Sequence, residues 1–247
     1  MKNEQEPTPY RHIGKPLRRK EDHRLLTGQG EFSDDFNAPN QVYAAFVRSP
    51  YPHADIIRID KSAALQLPGV LAVLDGSDVL ADGLNPIPHN PIPSTKNDIR
   101  LTGPDGGDIF IGPHLPLPTD KVRHVGEAVA MVVAETRHQV LDAVEAVDVT
   151  YRELPHEHDS RRALGARAPA VWDEVPGNVT VDTTFGDVAA TDAAFTNATH
   201  VVCMEFHIDR VTGVPLEPRA ALALPDAGGF TLYAGSGGAV RQKREML

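Results

Sequence analysis

Short segments of alternating or continuous hydrophobic residues follow one another between residues 42 and 151. Most of them are short and rich in apolar, β-branched and aromatic residues, and some are bounded by turn signals such as 49–52, which predicts β-strands. Residues 128–134 are continuously apolar, which is typical of a central strand buried on both faces. The predicted strands of this region are 42–47, 54–59, 70–74, 128–134 and 147–151.

Helical patterns occur in two places in the same region. Residues 137–147 repeat apolar positions at helical spacing, and 63–67 predict a short helix that Pro68-Gly69 ends. Because the longer helix lies between two predicted strands, strand, helix and strand together indicate a crossover unit. The region from 31 to 157 is therefore expected to form an α+β or mixed α/β domain.

Residues 83–118 show neither the hydrophobic period of a strand nor that of a helix. They contain eight of the 21 prolines and five glycines, a density that prevents regular secondary structure. A segment of this length is either a flexible surface loop or a functional element that borders a substrate channel or a partner subunit. The sequence leaves these alternatives open.

A second region begins near residue 158. Residues 168–209 contain seven acidic residues and no Lys or Arg, and short alternating segments predict strands here and further on. A helix starts at Gly238 and stops in mid-turn without a cap. Residues 158–247 are therefore expected to be the incomplete beginning of a second domain, whose strands expose apolar faces. The predicted strands are 178–185, 199–208, 220–224 and 230–234, the last two joined by a turn at 226–229.

The first 30 residues are polar and show no hydrophobic period. They predict an extended N-terminal arm, 1–30, that ends in the turn Gly28-Gln29-Gly30. The neighbours Phe32 and Asp34-Asp35 indicate that this turn leads into a strand.

Composition and charge narrow the class of protein. The 247 residues include 24 Lys plus Arg and 34 Asp plus Glu, a formal net charge of −10 that disfavours binding to nucleic acid. A single cysteine excludes a disulfide scaffold, and an iron–sulfur cluster or thiolate zinc site held by this chain alone. Because no apolar run is long enough for a transmembrane helix or a signal peptide, the sequence predicts a cytoplasmic protein.

The most specific local motif is a strand, a glycine-rich turn and a helix start at 231–240. Amides at the start of a helix bind anions, so this turn is a candidate site for a phosphate-bearing ligand. A dinucleotide fingerprint is incomplete because Val240 stands at its last position, and a nucleophile elbow lacks a later histidine. A tight turn that needs glycine for its backbone alone is the third alternative. The candidate ligand-binding residues are Gly235, Ser236, Gly237 and Gly238.

Histidine and cysteine give weaker candidates. His156 and His158 are suitable zinc ligands, but they lie in an acidic linker without a second pair, so a solvated loop is favoured and no metal site is predicted. Cys203 is expected to be a small core residue. Glu217-Pro218-Arg219 is expected to form a structural ion pair in a link between strands.

Six blocks of sequence, through their order and spacing along the chain, carry a resemblance to a known protein family. They are Arg19-Lys20-Glu21-Asp22-x-Arg24-Leu25-Leu26-Thr27-Gly28-x-Gly30-x-Phe32-x-Asp34-Asp35, Phe46-Val47-Arg48-Ser49-Pro50-Tyr51-Pro52-His53-Ala54, Leu67-Pro68-Gly69-Val70, Lys121-Val122-Arg123-His124-Val125-Gly126-Glu127-Ala128-Val129-Ala130, Val149-Thr150-Tyr151-Arg152-Glu153-Leu154-Pro155 and Leu216-Glu217-Pro218-Arg219-Ala220. In these blocks the sequence resembles the large, molybdopterin-binding subunit of the xanthine dehydrogenase, aldehyde oxidase and aerobic carbon monoxide dehydrogenase family. The resemblance covers essentially all of residues 15–247.

The resemblance implies an α+β fold, with an a/b hammerhead domain over 31–157 followed by the start of a mixed α/β molybdopterin-binding domain. It implies an oxidoreductase that oxidises or hydroxylates an aldehyde, a heterocycle or a similar small molecule with a molybdenum–molybdopterin cofactor. Electrons would pass to an iron–sulfur small subunit and an FAD-binding medium subunit, in a dimer of heterotrimers. No iron–sulfur cluster or flavin is expected on this chain, in agreement with its single cysteine.

Two departures from the family pattern qualify this expectation. Gly237 stands where the family commonly has a glutamine beside the molybdenum, and Ala239-Val240 replaces a Pro-His pair, which indicates a divergent subgroup. The family's catalytic glutamate and later pterin-binding loops would lie beyond residue 247, so the fragment alone is expected to be inactive. Two other functions stay open: a non-catalytic truncated paralogue used for subunit contact or assembly, and a phosphate- or nucleotide-binding protein.

Overall fold

The computed structural model describes residues 12–14, 16–87, 99–209, 211–235 and 237–246. These residues form two compact units: a larger one that contains Asn40–Ile208, and a smaller one that contains the residues up to Pro39 together with Asp209–Gln242. The helices are α1 (Asp22–Leu26), α2 (Ser62–Leu65), α3 (Gly76–Ala81), α4 (Arg137–Glu145), α5 (Val188–Asn197) and α6 (Ala239–Glu245). The strands are β1 (Tyr43–Arg48), β2 (Ala54–Asp60), β3 (Val70–Asp75), β4 (Lys121–Val122), β5 (Ala128–Ala134), β6 (Asp148–Glu153), β7 (Ala221–Asp226) and β8 (Gly229–Ala234).

Two antiparallel, three-stranded sheets form the larger unit. The strand order is β1-β5-β3 in the first sheet and β4-β2-β6 in the second. The apolar run predicted as a central strand is confirmed: β5 pairs on both edges, and its residues Val129, Val132 and Ala134 are fully buried. The core around it consists largely of valine and alanine, which lets the strands and α4 pack closely.

Helix α4 connects the two sheets. The predicted crossover unit is wrong, because a crossover joins parallel strands of one sheet, whereas β5 and β6 lie in different sheets and pair only with antiparallel partners. The helix begins after Thr136, whose Oγ1 accepts a hydrogen bond from the Gln139 amide at 3.3 Å. Its buried residues Val140 and Ala143 belong to the core. The α+β class is therefore correct.

Helix α3 follows β3 directly and was not predicted, although its start has a recognisable cap. The Asp75 carboxylate accepts the Ser77 amide at 2.8 Å, and Asp78 accepts the Asp75 amide at 2.8 Å, which forms a reciprocal capping box. Lys61 Nζ lies 2.8 Å from a carboxylate oxygen of each aspartate. One lysine thus joins the helix start to the chain before α2.

This ion cluster predicts a pH dependence of stability. Burial raises the pKa of the Asp75 carboxyl, but hydrogen bonds from Lys61 and Ser77 outweigh it and bring the pKa to about 2. Because folding lowers this pKa, the ionised Asp75 carboxylate stabilises the folded state fully at a pH above its unfolded-state pKa. This stabilisation disappears as the pH falls from about 4 towards 2, and the free energy of unfolding then decreases by about 1–2 kcal/mol. Melting curves should show a smaller acid-induced fall in Tm for Asp75→Asn than for the wild type. Equal falls would contradict the assignment.

The region after residue 158 differs most from the sequence prediction. The strands predicted at 178–185 and 199–208 are wrong, and α5 lies between these segments. Alternation alone does not make a strand, which needs a hydrogen-bonded partner. A helix signal was present, since the Asp187 side chain accepts the Ala190 amide at 2.9 Å and several alanines follow. Cys203 is exposed, so its predicted core position is also wrong.

The proline-rich segment contains neither helix nor strand in its described parts, 83–87 and 99–118, as predicted. Residues 88–98 lie outside the described residues. The part after them is attached to the segment before α5: the Thr102 amide donates to Thr183 Oγ1 at 2.7 Å, and the Asp182 amide donates to the Thr102 carbonyl at 2.9 Å. This part of the segment is therefore held by hydrogen bonds to a distant stretch of the chain.

The smaller unit contains the hairpin β7–β8 and the N-terminal arm. The hairpin is confirmed, with Asp226 and Gly229 as its closing pair, and it exposes apolar side chains as expected, Phe230 being 71% exposed. The arm is not wholly extended, because it contains α1, and the strand expected near Phe32 is instead a 3₁₀ turn over Ser33–Asp35. The Phe32 amide donates to Asp35 Oδ2 at 2.8 Å, which closes this turn locally.

Candidate functional site

The glycine-rich turn lies between β8 and α6, in the strand–turn–helix arrangement that the sequence predicts. Gly235 follows the last residue of β8, and Gly237 and Gly238 precede the first residue of α6. Ser236, the fourth candidate residue, lies outside the described residues. The Gln242 amide donates to the Gly238 carbonyl at 3.3 Å and so begins the helix. Because glycine has no side chain, the described glycines of the turn can contact a ligand only through their backbone.

The glycines of this turn have different surroundings. A side chain at Gly235 would meet the carboxylate of Glu217, whose Oε1 lies 3.0 Å from the position of a Cβ atom. At Gly237 and Gly238 no described atom lies within 4 Å of that position. The turn is therefore filled on one side by Glu217 and open at its second half.

Glu217 contacts the 3₁₀ turn that follows the N-terminal arm. Ser33 is buried, and its hydroxyl lies 3.5 Å from Glu217 Oε1 and 3.4 Å from the Pro218 carbonyl. Among the described residues, Glu217 thus contacts Ser33 and forms no ion pair with Arg219, unlike the ion pair that the sequence suggested. Two positions 184 residues apart in the chain meet here.

A second contact joins the residues after the arm to β8. The rings of Phe36 and Tyr233 stack with centroids 4.9 Å apart and an interplanar angle of 26°. Tyr233 lies two positions before Gly235, so this stacking fixes the strand that enters the turn. The sequence did not indicate that Ser33 and Phe36 contribute to the surroundings of the turn.

The remaining sequence candidates do not assemble into a site. His158 lies 3.7 Å from Glu157, on an exposed loop. A hydrogen bond from the Asp159 amide and the charge of Arg162 lower the pKa of Glu157, which keeps it an anion paired with arginine. Within the described ranges, no three His, Cys, Asp or Glu side chains lie close enough together to bind a metal ion.

Three of the blocks that carry the family resemblance have structural roles in the larger unit. His53 is buried, and its Nδ1 lies 2.9 Å from the Pro155 carbonyl. Arg48 donates to the Gly126 carbonyl at 2.8 Å, and the Gly126 amide donates to the Ser49 carbonyl at 2.8 Å. These contacts join three of the blocks around the ends of β1 and β2.

Arg123 anchors Trp172, a contact that the sequence did not predict. Its guanidinium lies 3.8 Å from the ring centroid of Trp172, and its amide donates to Glu127 at 2.5 Å. A side chain at Gly112 would collide with the Trp172 ring. The segment around Trp172 is thereby attached to Arg123, the residue directly after β4.

Removal of this anchor should be measurable. Arg123→Ala is expected to lower the free energy of unfolding by about 1–2 kcal/mol, because a partly desolvated guanidinium–indole contact is lost. Arg123→Lys keeps the charge but not the planar stacking, and should lose less. Urea unfolding followed by tryptophan fluorescence checks this, since Trp172 is the only tryptophan. Wild-type stability of Arg123→Ala would contradict it.

Comparison with known proteins gives the class of the chain and then its family. Residues 27–155 match the profile described as "Aldehyde oxidase and xanthine dehydrogenase, a/b hammerhead domain", and residues 171–246 match the "Molybdopterin cofactor-binding domain". Together these matches place the chain in a class of proteins that are molybdopterin-dependent oxidoreductases. The chain belongs to the aldehyde oxidase and xanthine dehydrogenase family.

Similar curated proteins are large subunits. The chain is 38% identical over 215 residues to the nicotine 6-hydroxylase large subunit of Paenarthrobacter nicotinovorans, a match that covers 85% of this chain and 24% of that protein. It is 34% identical over 228 residues to the carbon monoxide dehydrogenase large chain of Hydrogenophaga pseudoflava, covering 87% of this chain and 26% of that one. The chain thus spans about a quarter of the length of these relatives.

Solved structures agree with this assignment. Quinoline 2-oxidoreductase from Pseudomonas putida 86 superposes with a TM-score of 0.70 at 32% identity, over 89% of this chain and 26% of that chain. Aldehyde oxidoreductase from Desulfovibrio gigas gives a TM-score of 0.64 at 25% identity, over 85% of this chain and 22% of that chain. Across the described part of the present chain, no helix has the length and hydrophobicity needed to cross a bilayer.

Proposed function

We propose that this chain supplies the hammerhead domain, over 31–157, and the beginning of the molybdopterin-binding domain, over 158–247, of a molybdenum hydroxylase large subunit. The arm, residues 1–30, precedes them. The order of the two family matches along one chain is the observation that carries the proposal. The whole enzyme would oxidise or hydroxylate an aldehyde, a heterocycle or a similar small molecule.

The glycine turn is suited to a pterin cofactor. Gly237 and Gly238 have no described atom where a side chain would be, so a ligand can lie directly against their backbone. At Gly235 the Glu217 carboxylate lies 3.0 Å from the position of a Cβ atom, so a ligand would approach this residue less closely than Gly237 and Gly238. When bound, the molybdenum cofactor supplies the redox chemistry, taking electrons from the oxidised carbon centre.

This chain's own part in the reaction is to bind and orient. The proposed cofactor-binding residues are Gly235, Ser236, Gly237 and Gly238, through their backbone. With glycine at 237, no side chain from this position restricts the space beside the turn, which favours substrates larger than those of relatives with a long side chain there. The proposed partners are an iron–sulfur small subunit and an FAD-binding medium subunit, in a dimer of heterotrimers.

Capture of the native complex tests this function. An affinity tag at the N-terminus of the chromosomal gene should purify the chain with two further polypeptides, one with iron–sulfur absorption and one with FAD. The complex should reduce an artificial electron acceptor when supplied with an aldehyde or an aromatic N-heterocycle, and oxygen from labelled water should enter the product. A chain captured without redox partners and without such activity would instead support a non-catalytic assembly module.

A further inference from the structure

Helix α5 has no buried face in the described part of the chain. None of its ten residues is buried, although it begins with a valine and contains four alanines and a phenylalanine. Phe195 is 62% exposed. A helix of this length is marginal in water on its own, because most helical stability in proteins comes from the packing of an apolar face. The apolar side chains of α5 therefore need a covering element from outside the described residues.

The segment after α5, residues 199–208, exposes apolar side chains in the same way. Among the described residues no strand pairs with this segment. Alternate side chains of an extended chain lie on one side of it, so apolar residues at alternate positions are the pattern of a strand with a buried face. Glu205 pairs with Arg161 and so attaches the segment to the residues after β6. The apolar residues at alternate positions are between 72% and 88% exposed: Val202, Met204, Phe206 and Ile208.

Helix α5 and residues 199–208 border one groove of about 570 Å³. Ala190, Ala194 and Phe195 line it from the helix, and Val201 and Val202 line it from the segment. Ala190 and Ala194 are four residues apart and lie on the same face of the helix, where their small side chains let another chain approach closely. Contiguous exposed apolar surfaces of this kind are commonly interaction sites. We refer to α5 together with residues 199–208 as the α5 surface.

The charged side chains on the α5 surface are acidic. Residues 168–209 contain seven acidic residues and no Lys or Arg, and one of the acidic residues, Asp187, lines the groove. Charged residues at the rim of an interface favour a partner of opposite charge, and like charges that face each other disfavour association. The α5 surface therefore fits an occupant whose apolar contact is bordered by Lys or Arg. A second copy of the same surface fits poorly, because the two acidic rims would repel each other.

The comparison with relatives indicates where such an occupant comes from. The α5 surface lies within residues 171–246, which match the molybdopterin cofactor-binding domain. The match to the nicotine 6-hydroxylase large subunit covers 24% of that protein, so about three quarters of its length lies outside the match. The elements of one domain bury their apolar faces against each other. The chain of a large subunit beyond residue 247 is therefore long enough to cover the α5 surface.

We propose that the α5 surface is the docking surface for the part of the large subunit that follows residue 247. A strand of that part pairs with residues 199–208, its apolar side chains fill the groove beside α5, and its Lys or Arg residues lie against the acidic rim. This inference rests on the proposed function, because only a chain longer than the present one contains such a part.

Hydrogen exchange in the complex captured through the N-terminal tag is the first test. Residues 199–208 should exchange their amide hydrogens at least about 100-fold more slowly in this complex than in the 247-residue chain produced alone, because pairing with a strand hides them from water. The amides of β5, which is buried within the chain itself, should be protected in both samples and serve as the internal control. Equal exchange of residues 199–208 in the two samples would overturn the proposal.

Replacement of Phe206 with aspartate is the second test. Phe206 is exposed, so in the chain produced alone the change should leave Tm within about 2 °C of the wild type. In the complex the carboxylate would be buried against apolar side chains, and the yield of captured large subunit should fall at least about tenfold. Phe206→Leu should keep most of the yield. Leu80→Asp, at an exposed leucine of α3, is the matched control and should be tolerated in both samples. An undiminished yield of Phe206→Asp would count against the docking role.

The outcomes separate this inference from the proposed function. A captured complex without molybdenum would refute both. A complex that contains molybdenum, but in which residues 199–208 exchange as fast as in the chain alone, would refute the docking role and leave the function of the large subunit intact. Slow exchange in the chain alone, with the mass of a dimer by light scattering, would identify a second copy as the occupant. Slow exchange in a captured chain that ends at residue 247 would identify a partner subunit, and either result would overturn the proposal.

Discussion

Replacement of Val132 with aspartate is expected to prevent the larger unit from folding. Val132 is fully buried in β5, where it pairs with Ala45 of β1 and Val73 of β3. A carboxylate at this position has no polar partner, and its burial costs at least about 4 kcal/mol, close to the whole stability of many domains. Protonation of the aspartate would reduce this cost without removing it.

A matched substitution on the neighbouring strand controls for β-propensity and charge. Leu71 lies in β3 and is 53% exposed, so Leu71→Asp should change the free energy of unfolding by no more than about 1 kcal/mol. Circular dichroism melting and the yield of monodisperse protein distinguish the two variants. A cooperative, wild-type-like melt of Val132→Asp would show that β5 is not the centre of the core.

The second large effect is expected for Gly76→Ala. Gly76 is the first residue of α3, and a Cβ atom there would lie 2.6 Å from the carbonyl oxygen of Pro118 and 2.8 Å from its carbonyl carbon. Because these atoms belong to the backbone, either α3 or the chain at Pro118 must move. Overpacking of this kind costs about 1–3 kcal/mol.

Gly177→Ala is the control for Gly76→Ala, since no described atom lies within 4 Å of its Cβ position. The midpoint of urea unfolding should fall for Gly76→Ala and stay the same or rise slightly for Gly177→Ala, because alanine restricts the unfolded chain. Equal midpoints for the two variants would mean that α3 does not approach Pro118 as described.

Elements with a strong local pattern could be predicted from the sequence. The continuous apolar run of β5 and the turn between β7 and β8 were located almost to the residue, because burial and turn chemistry leave direct traces in the pattern. The glycine turn at 235–238 was found for the same reason. Its position between β8 and α6 agrees with the strand, turn and helix that the sequence predicts.

Features that depend on distant partners could not be predicted. Residues 199–208 alternate like a strand, yet among the described residues no strand pairs with them. The same is true of 178–185, where Asp182 and Thr183 are hydrogen-bonded to Thr102 outside any sheet. The two sheets separate β5 from β6, which no local pattern reveals. The contact of Ser33 with Glu217 bridges 184 positions, and the stacking of Phe36 on Tyr233 is equally remote.

Molybdenum analysis of the complex captured through the N-terminus of this chain tests the central claim most directly. If the chain forms part of a molybdenum hydroxylase large subunit, metal analysis should find molybdenum and the chain in equal amounts, and acid oxidation should release a fluorescent pterin. Growth with tungstate should displace the molybdenum and abolish the substrate-dependent activity. A complex of full yield that contains neither molybdenum nor pterin would contradict the account.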